Sequence, residues 1–273
     1  MSDWLHNLPV VWMALVVFGF TYLIAIAVHE VVMVLAVGDR ARSFKAVSPG
    51  MLPPLGIIFG IFVGFTAAQV WSDSERADTA VDREASALKS VMILAANFPG
   101  EPETRLRALM RSYIADAVAH EWPMMARRTA TFLTTPRAVA EALYLTLSLS
   151  PGSQGQQISQ REIITALESA LDARRQRIAI SQSQVNWVKW SCLYLQAICA
   201  LLAIALVHSD NRLASAITMG VFATGVAASV LLILAHDRPF TGEISVGPSQ
   251  LLQVVPEAES NLRAIGGTTH SQP

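Results

Sequence analysis

The sequence predicts an all-α membrane protein: four transmembrane helices in two hairpins, with a helical cytosolic bundle between the hairpins. Three observations predict it. Of 273 residues, 52% are hydrophobic and only 15% are charged, and the mean hydropathy is +0.42, too apolar for an ordinary soluble domain. Four apolar runs, 10–37, 52–71, 187–208 and 213–236, have the length of roughly 20 residues that a helix needs to cross a bilayer. Most of the charge lies between the second and third runs, among apolar residues at helical spacing. A net charge of −1 gives no basis for a nucleic-acid partner.

The first run reads as a retained helix rather than a signal peptide. Residues 1–9 hold no Lys or Arg, and the run is longer than a signal h-region. The second run, PPLGIIFGIFVGFTAAQVW, passes into SDSERADTAVDREASAL with no turn residue between them. The helix is therefore expected to continue into the charged block. FPGEPE at 98–103 breaks it and starts another, with Glu101 and Glu103 suited to a helix N-terminus. RLRALMRSYIADAVAHEW is amphipathic. TTPRAVAEALYLTLSL opens with a Thr-Thr cap and a proline in the first turn. SPGSQGQQ, 150–157, reads as a loop, with Ser159 and Glu162 forming a capping box for a helix that runs unbroken into the third span. The block 72–186 holds 13 basic and 13 acidic residues, as expected of a solvated bundle. The expected domains are a first hairpin (1–71), this helical block (72–186), a second hairpin (187–236) and a tail (237–273).

Four spans place both termini on the side of the middle block. Arg76, Arg83, Lys89, Arg174, Arg175, Arg177 and Arg238 lie near span ends there, against Arg40, Arg42, Lys45 and Arg212 opposite. The basic excess predicts that side to be cytoplasmic. Trp187, Lys189 and Trp190 read as an interfacial anchor.

Gly56, Gly60 and Gly64 recur every four residues in the second span, followed by Ala68. Such a smooth stripe lets another backbone approach closely in a membrane. One position round, Ile57, Ile61 and Phe65 make a bulky stripe. Two arrangements fit this spacing. Both stripes could pack within one subunit, or the helix could stand in a ring of copies with the bulky stripe as a hydrophobic constriction. Continued downward, that stripe meets Gln69, Ser72, Glu75 or Arg76, Thr79 and Arg83, with both signs of charge.

These residues resemble the bacterial bestrophins. Leu55, Gly56, Ile57, Ile61, Phe62, Gly64 and Phe65 match the family's run L-G-I-x-x-x-I-F-x-G-F in its second span. AAQVWSD…DREASAL together with DRPFTGEISV (Asp237 to Val246) is similar to the bacterial bestrophin-like family over nearly the whole chain. The resemblance implies the bestrophin-like arrangement of helices and an ion channel, not an enzyme. It implies a homopentamer in the bacterial inner membrane that passes small monovalent ions, with Ile57, Ile61 and Phe65 as the pore neck. Gln69, Ser72, Glu75 and Arg76 would then line the pore below. Gly56, Gly60 and Gly64 would pack against neighbouring protein. Asp237, Arg238, Pro239 and Phe240 would form a C-terminal clasp tying the tail to the helical block, of the same or the adjacent subunit. Two departures stand out. Thr66-Ala67-Ala68-Gln69 replaces the family's Arg-Asn and aromatic stretch. Near the last span only Asp237 and Glu243 are acidic, too few for the six to eight oxygens that calcium takes. Selectivity does not transfer, because the family conducts both anions and cations.

Other chemistry is thin. HEVVM at 29–33 has Met33 where a zinc-protease helix needs a second histidine. His29 and Glu30 are nonetheless ionisable groups in an apolar run; they are candidates for function or for pairing with a neighbouring helix. Ala216, Gly220, Thr224 and Ala228 form a small-residue stripe expected to pack. Cys192 and Cys199 read as small buried apolar residues. No nucleophile–base pair, metal set or phosphate loop is visible, and no cofactor is expected. The rival to the channel is a non-conducting membrane sensor or scaffold whose helical block binds a partner.

Overall fold

The computed structural model describes residues 3–6, 8–36, 44, 49–133 and 135–255. Arg40, Arg42, Lys45, Thr134 and the tail beyond Val255 lie outside these residues. All the regular secondary structure among the described residues is helical, and the chain divides into two compact units.

The first unit comprises Met1–Ser72, Gln184–Arg238 and Gly242–Ile244. Four helices are long and apolar enough to cross a membrane: Val10–Leu35, one that begins at Leu52, Trp187–Val207 and Arg212–His236. Each start has a local cause. Pro9, extended, precedes the first. Asn186 accepts the Val188 N–H at 2.8 Å before the third, and Asn211 accepts the Ala214 N–H at 3.0 Å before the fourth; both satisfy orphan donors. The first span buries Met13, Val17, Thr21, Ala25 and Val32, spaced to one face. The second buries Phe59, whose ring meets Phe222 of the fourth at 5.7 Å.

Polar pairs join the first span to the fourth. Tyr22 and Thr224 hydroxyls are 2.8 Å apart. His29 Nδ1 lies 3.2 Å from Ser215 Oγ, and Arg212 reaches Glu30 at 3.1 Å. His29 and Glu30 therefore pair with the fourth span. Trp190 is buried in the core and does not act as an interfacial anchor; Trp187 is exposed. Cys199 is exposed and Cys192 half-buried, so neither is the buried apolar residue expected.

The end of the fourth span is fixed within this unit. Asp237 is buried, accepts the Val185 N–H at 2.5 Å, and has His6 Nε2 at 3.3 Å. Gly242 has φ +92°, and a Cβ there would stand 2.9 Å from the His6 carbonyl oxygen, so only glycine fits. Glu243 accepts the Val10 N–H at 3.1 Å, placing a carboxylate at the positive end of the first span.

The second unit comprises Asp73–Ser183, Pro239–Thr241 and Ser245–Pro273. The helix Leu52–Leu94 continues from the second span into this block. Gly100, at φ +95°, makes the turn before Glu101–Asp116, whose first turn holds Glu101 and Glu103. A π turn, Ala117–Glu121, leads into Trp122–Ala126. Helices Arg137–Ser148 and Gln154–Ser181 follow. Leu88, Leu106, Met110, Ile114, Val139, Ile163, Leu167 and Ile178 are core residues.

Three expectations need correction here. The last helix starts at Gln154, capped by Ser153 Oγ accepting the Gln156 N–H at 3.2 Å. Ser159 is inside the helix and bonds Asn97 at 2.9 Å, so it caps nothing. That helix ends at Ser181 and does not run into the third span, because Asn186 restarts the chain. Pro136 is the N-cap of its helix rather than a first-turn residue, its ψ of 128° being non-helical.

A charged cluster sits inside the second unit. Arg177 and Glu84 side chains are fully buried. Arg177 Nε and Nη2 donate to the two Glu84 oxygens at 2.7 and 3.0 Å. Arg177 also reaches Glu121 at 3.0 Å and lies over the Trp122 ring, 4.5 Å from its centre. Arg174 Nε donates to Glu121 at 2.7 Å, and Tyr113 donates its hydroxyl to Glu84 at 2.5 Å. Burial, reinforced by the Glu84 charge, pushes the Tyr113 phenol well above its ordinary pKa. Burial pulls Arg177 down, but Glu84 outweighs it and the guanidinium stays charged. Arg174, Arg177 and Arg238 are buried, so three residues counted toward the basic excess face protein rather than lipid headgroups.

Phe240 belongs to this core, edge-on to Trp122 with ring centres 6.0 Å apart. Thr241 donates to the Ala126 carbonyl at 2.9 Å, and the Trp122 indole to the Val246 carbonyl at 3.2 Å. Phe240 thus packs within its own chain, not in an adjacent subunit. Pro239 accepts the Val246 N–H at 2.7 Å, closing the loop.

Candidate functional site

The candidate site is the open face of the second span. Its buried positions, Phe59, Thr66 and Val70, with half-buried Leu55, Phe62 and Val63, all lie on one side. The stripe opposite is uncovered. Ile57, Ile61 and Phe65 are 61%, 55% and 75% exposed. Gly56, Gly60 and Gly64 are exposed too, and a Cβ built on any of them meets nothing within 4 Å. Packing of both stripes inside one chain is therefore not what this structure has. Lipid tails could cover bulky side chains without penalty, but a glycine stripe gains van der Waals contact only from a close backbone.

The positions below the bulky stripe separate into three kinds. Ser72, Glu75, Thr79 and Arg83 are exposed. Gln69 turns away: it is half-buried and accepts a hydrogen bond from Lys189 of the third span. Arg76 is exposed but its guanidinium is held by buried Asp73, one turn back. The small-residue stripe of the fourth span is only partly covered within the chain, Gly220 being half-buried. Ala216, Thr224 and Ala228 face outward, whereas the span packs through Ser215, Met219, Ala223, Val226, Ala227 and Val230.

The structure adds residues that the sequence reading missed. His6 and Asp237 meet across the length of the chain, and Glu84 meets Arg177 across 93 residues. No local motif announces either pair. A buried-looking glutamate within an apolar helical face, as at Ala80-Val81-Glu84-Ala85, is the single signal available for the second. Among the described residues no group of three His, Cys, Asp or Glu could hold a metal ion.

Two helical hairpins flanking a helical block, with one span's glycine and bulky stripes left open, define an all-helical multi-span membrane protein. The chain belongs to the bestrophin-like family: the Bestrophin-like domain model matches residues 19–251. Solved structures share the fold. A variant of a bacterial bestrophin homolog from Klebsiella pneumoniae is 14% identical, with 89% of this chain and 99% of that chain covered, at a TM-score of 0.70. A second variant of that homolog is 13% identical, covering 92% and 99%, at 0.68. A structure described as a membrane protein is 15% identical, covering 92% and 98%, at 0.67. No curated protein matches the chain.

Proposed function

We propose that the chain is one subunit of a closed homo-oligomer, a pentamer, that passes small monovalent ions across the bacterial inner membrane. Ile57, Ile61 and Phe65 form its hydrophobic neck, and Gly56, Gly60 and Gly64 seat each second span against its neighbours. Ser72, Glu75 and Arg76 lie below the neck, with Gln69 at the edge of that path. The middle block and both termini face the cytoplasm, and the protein performs no catalysis. The observation that carries this reading is the uncovered double stripe in a chain of the bestrophin-like family. A ring of identical helices is the arrangement that gives a glycine stripe a partner and leaves a bulky stripe at an axis.

Mass measurement in mild detergent, with ion flux in liposomes, tests the proposal. A pentamer with flux is the expected result; only monomers or dimers would refute it. Gly60→Leu should abolish the pentamer. Because a Cβ there meets nothing within 4 Å in its own chain, the variant should keep wild-type helicity, and loss of helicity instead of assembly would contradict the packing role.

Asp237, Arg238, Pro239 and Phe240 are proposed as a structural clasp rather than a ligand site. Phe240→Ala removes a buried ring and should cost about 3–5 kcal/mol, read as a lower oligomer melting temperature. Flux should be equal with calcium and with a chelator. A saturable calcium dependence lost on Asp237→Asn would instead make this segment a ligand-binding element.

A further inference from the structure

The first and third spans leave an apolar groove between them, and every residue that lines it belongs to the first compact unit. We propose that this groove holds one acyl chain of a membrane phospholipid, taken from the leaflet at which these two spans begin.

The groove offers about 700 Å³. Its floor is Leu5, Val17 and Trp190, all buried, and its rims are the exposed side chains of Val16, Phe20, Trp187 and Leu195. Three rings form its wall: Tyr194 stacks on Trp190 with centres 6.3 Å apart and meets Phe20 edge-on at 6.0 Å. No charged residue lines it, and Ser191 is the one lining residue with a small polar side chain.

The length of the groove selects the occupant. Its lining runs from Trp187 to Ile198 on the third span and from Val16 to Ile24 on the first. Eleven steps of 1.5 Å along the third span make it about 16 Å long. Half of a bilayer's hydrocarbon core is about 15 Å, so the groove has the depth of a single leaflet. The polarity is ordered to match. Trp187 at the mouth carries an indole N–H and Ser191, one turn in, a hydroxyl, both suited to the ester level of a lipid. Beyond Tyr194 the third span contributes only Leu195 and Ile198.

A second copy of the chain fits this face less well. Close approach of another helix in a membrane needs small residues, and the rims here are bulky. A methylene chain follows such a seam without any backbone approach. It gains no hydrophobic energy on leaving the bilayer; what it gains is dispersion contact with side chains already fixed in place.

The test is native mass spectrometry of the full-length protein purified in mild detergent. Wild type should carry about one tightly held phospholipid per subunit. Ser191→Trp puts an indole into the groove and should cut that occupancy roughly tenfold. Val221→Trp, at an exposed position of the fourth span outside the groove, should leave it unchanged. Delipidated wild type should take up phosphatidylglycerol with sixteen-carbon chains and hold a six-carbon analogue roughly tenfold less, because the short chain touches under half of the lining; this arm needs no variant to fold. Wild type that keeps no phospholipid, or that holds both chain lengths equally, overturns the proposal. A Ser191→Trp variant that keeps its lipid overturns it too, and one that also falls to monomers makes the groove a contact between copies. None of these outcomes touches the pore reading, which rests on the second span.

Discussion

Arg177→Met should destabilise the protein by about 3–5 kcal/mol, the cost of breaking a buried ion pair from one side. The guanidinium satisfies both oxygens of Glu84 and one of Glu121. Its removal leaves the Glu84 carboxylate inside the core with only the Tyr113 hydroxyl as a partner. Methionine fills part of the volume, so the loss is chiefly the unpaired charge rather than a cavity. For a chain of this size the melting temperature should fall by roughly 10 °C, read by helical circular dichroism in detergent. Glu84→Gln combined with Arg177→Met should recover much of the loss, because removing both charges removes the desolvation cost. A fall of less than 1 kcal/mol in the single variant, or no recovery in the double, would show that the cluster is not a coupled unit.

The second large effect is expected on conduction. Replacing Ile57, Ile61 and Phe65 together by alanine should raise ion flux in liposomes by about tenfold or more, by widening and wetting a constriction that otherwise excludes water. All three side chains are exposed in the chain and fill no core, so folding of the subunit should be unaffected. Assembly should persist because the glycine stripe is untouched. Unchanged flux from an intact oligomer would refute the neck assignment and move the constriction elsewhere.

The spans were legible in the sequence because hydrophobicity and length alone decide them: three of the four helices begin and end within a few residues of their apolar runs, and the second begins with its run and continues past it to Leu94. The stripe at Gly56–Phe65 was legible as a pattern, but its exposure was not, since spacing does not say which neighbour covers a face. Helix boundaries within the charged block were less legible. Ser159 with Glu162 imitates a capping box, yet Ser153, six residues earlier, caps the helix by accepting the Gln156 N–H. The break at 182–186 was missed because no Gly or Pro marks it. Glu84–Arg177 and His6–Asp237 could not be read, because a pair joined by tertiary folding leaves no periodic trace in either segment.

The π turn at Ala117–Glu121 has a consequence for how this domain tolerates insertion and deletion. A π turn holds one residue more than the α-helical path, so everything beyond it is rephased by about 100°. Glu121, Trp122 and Met125 reach Arg177 on that altered phase. Deleting Val118 or Ala119 would restore a better local helix while turning those three groups off their arginine. Any homologue one residue shorter here must satisfy the buried guanidinium from different positions, or lack it, so gap placement at this turn and residue choice at 84 and 177 are expected to change together.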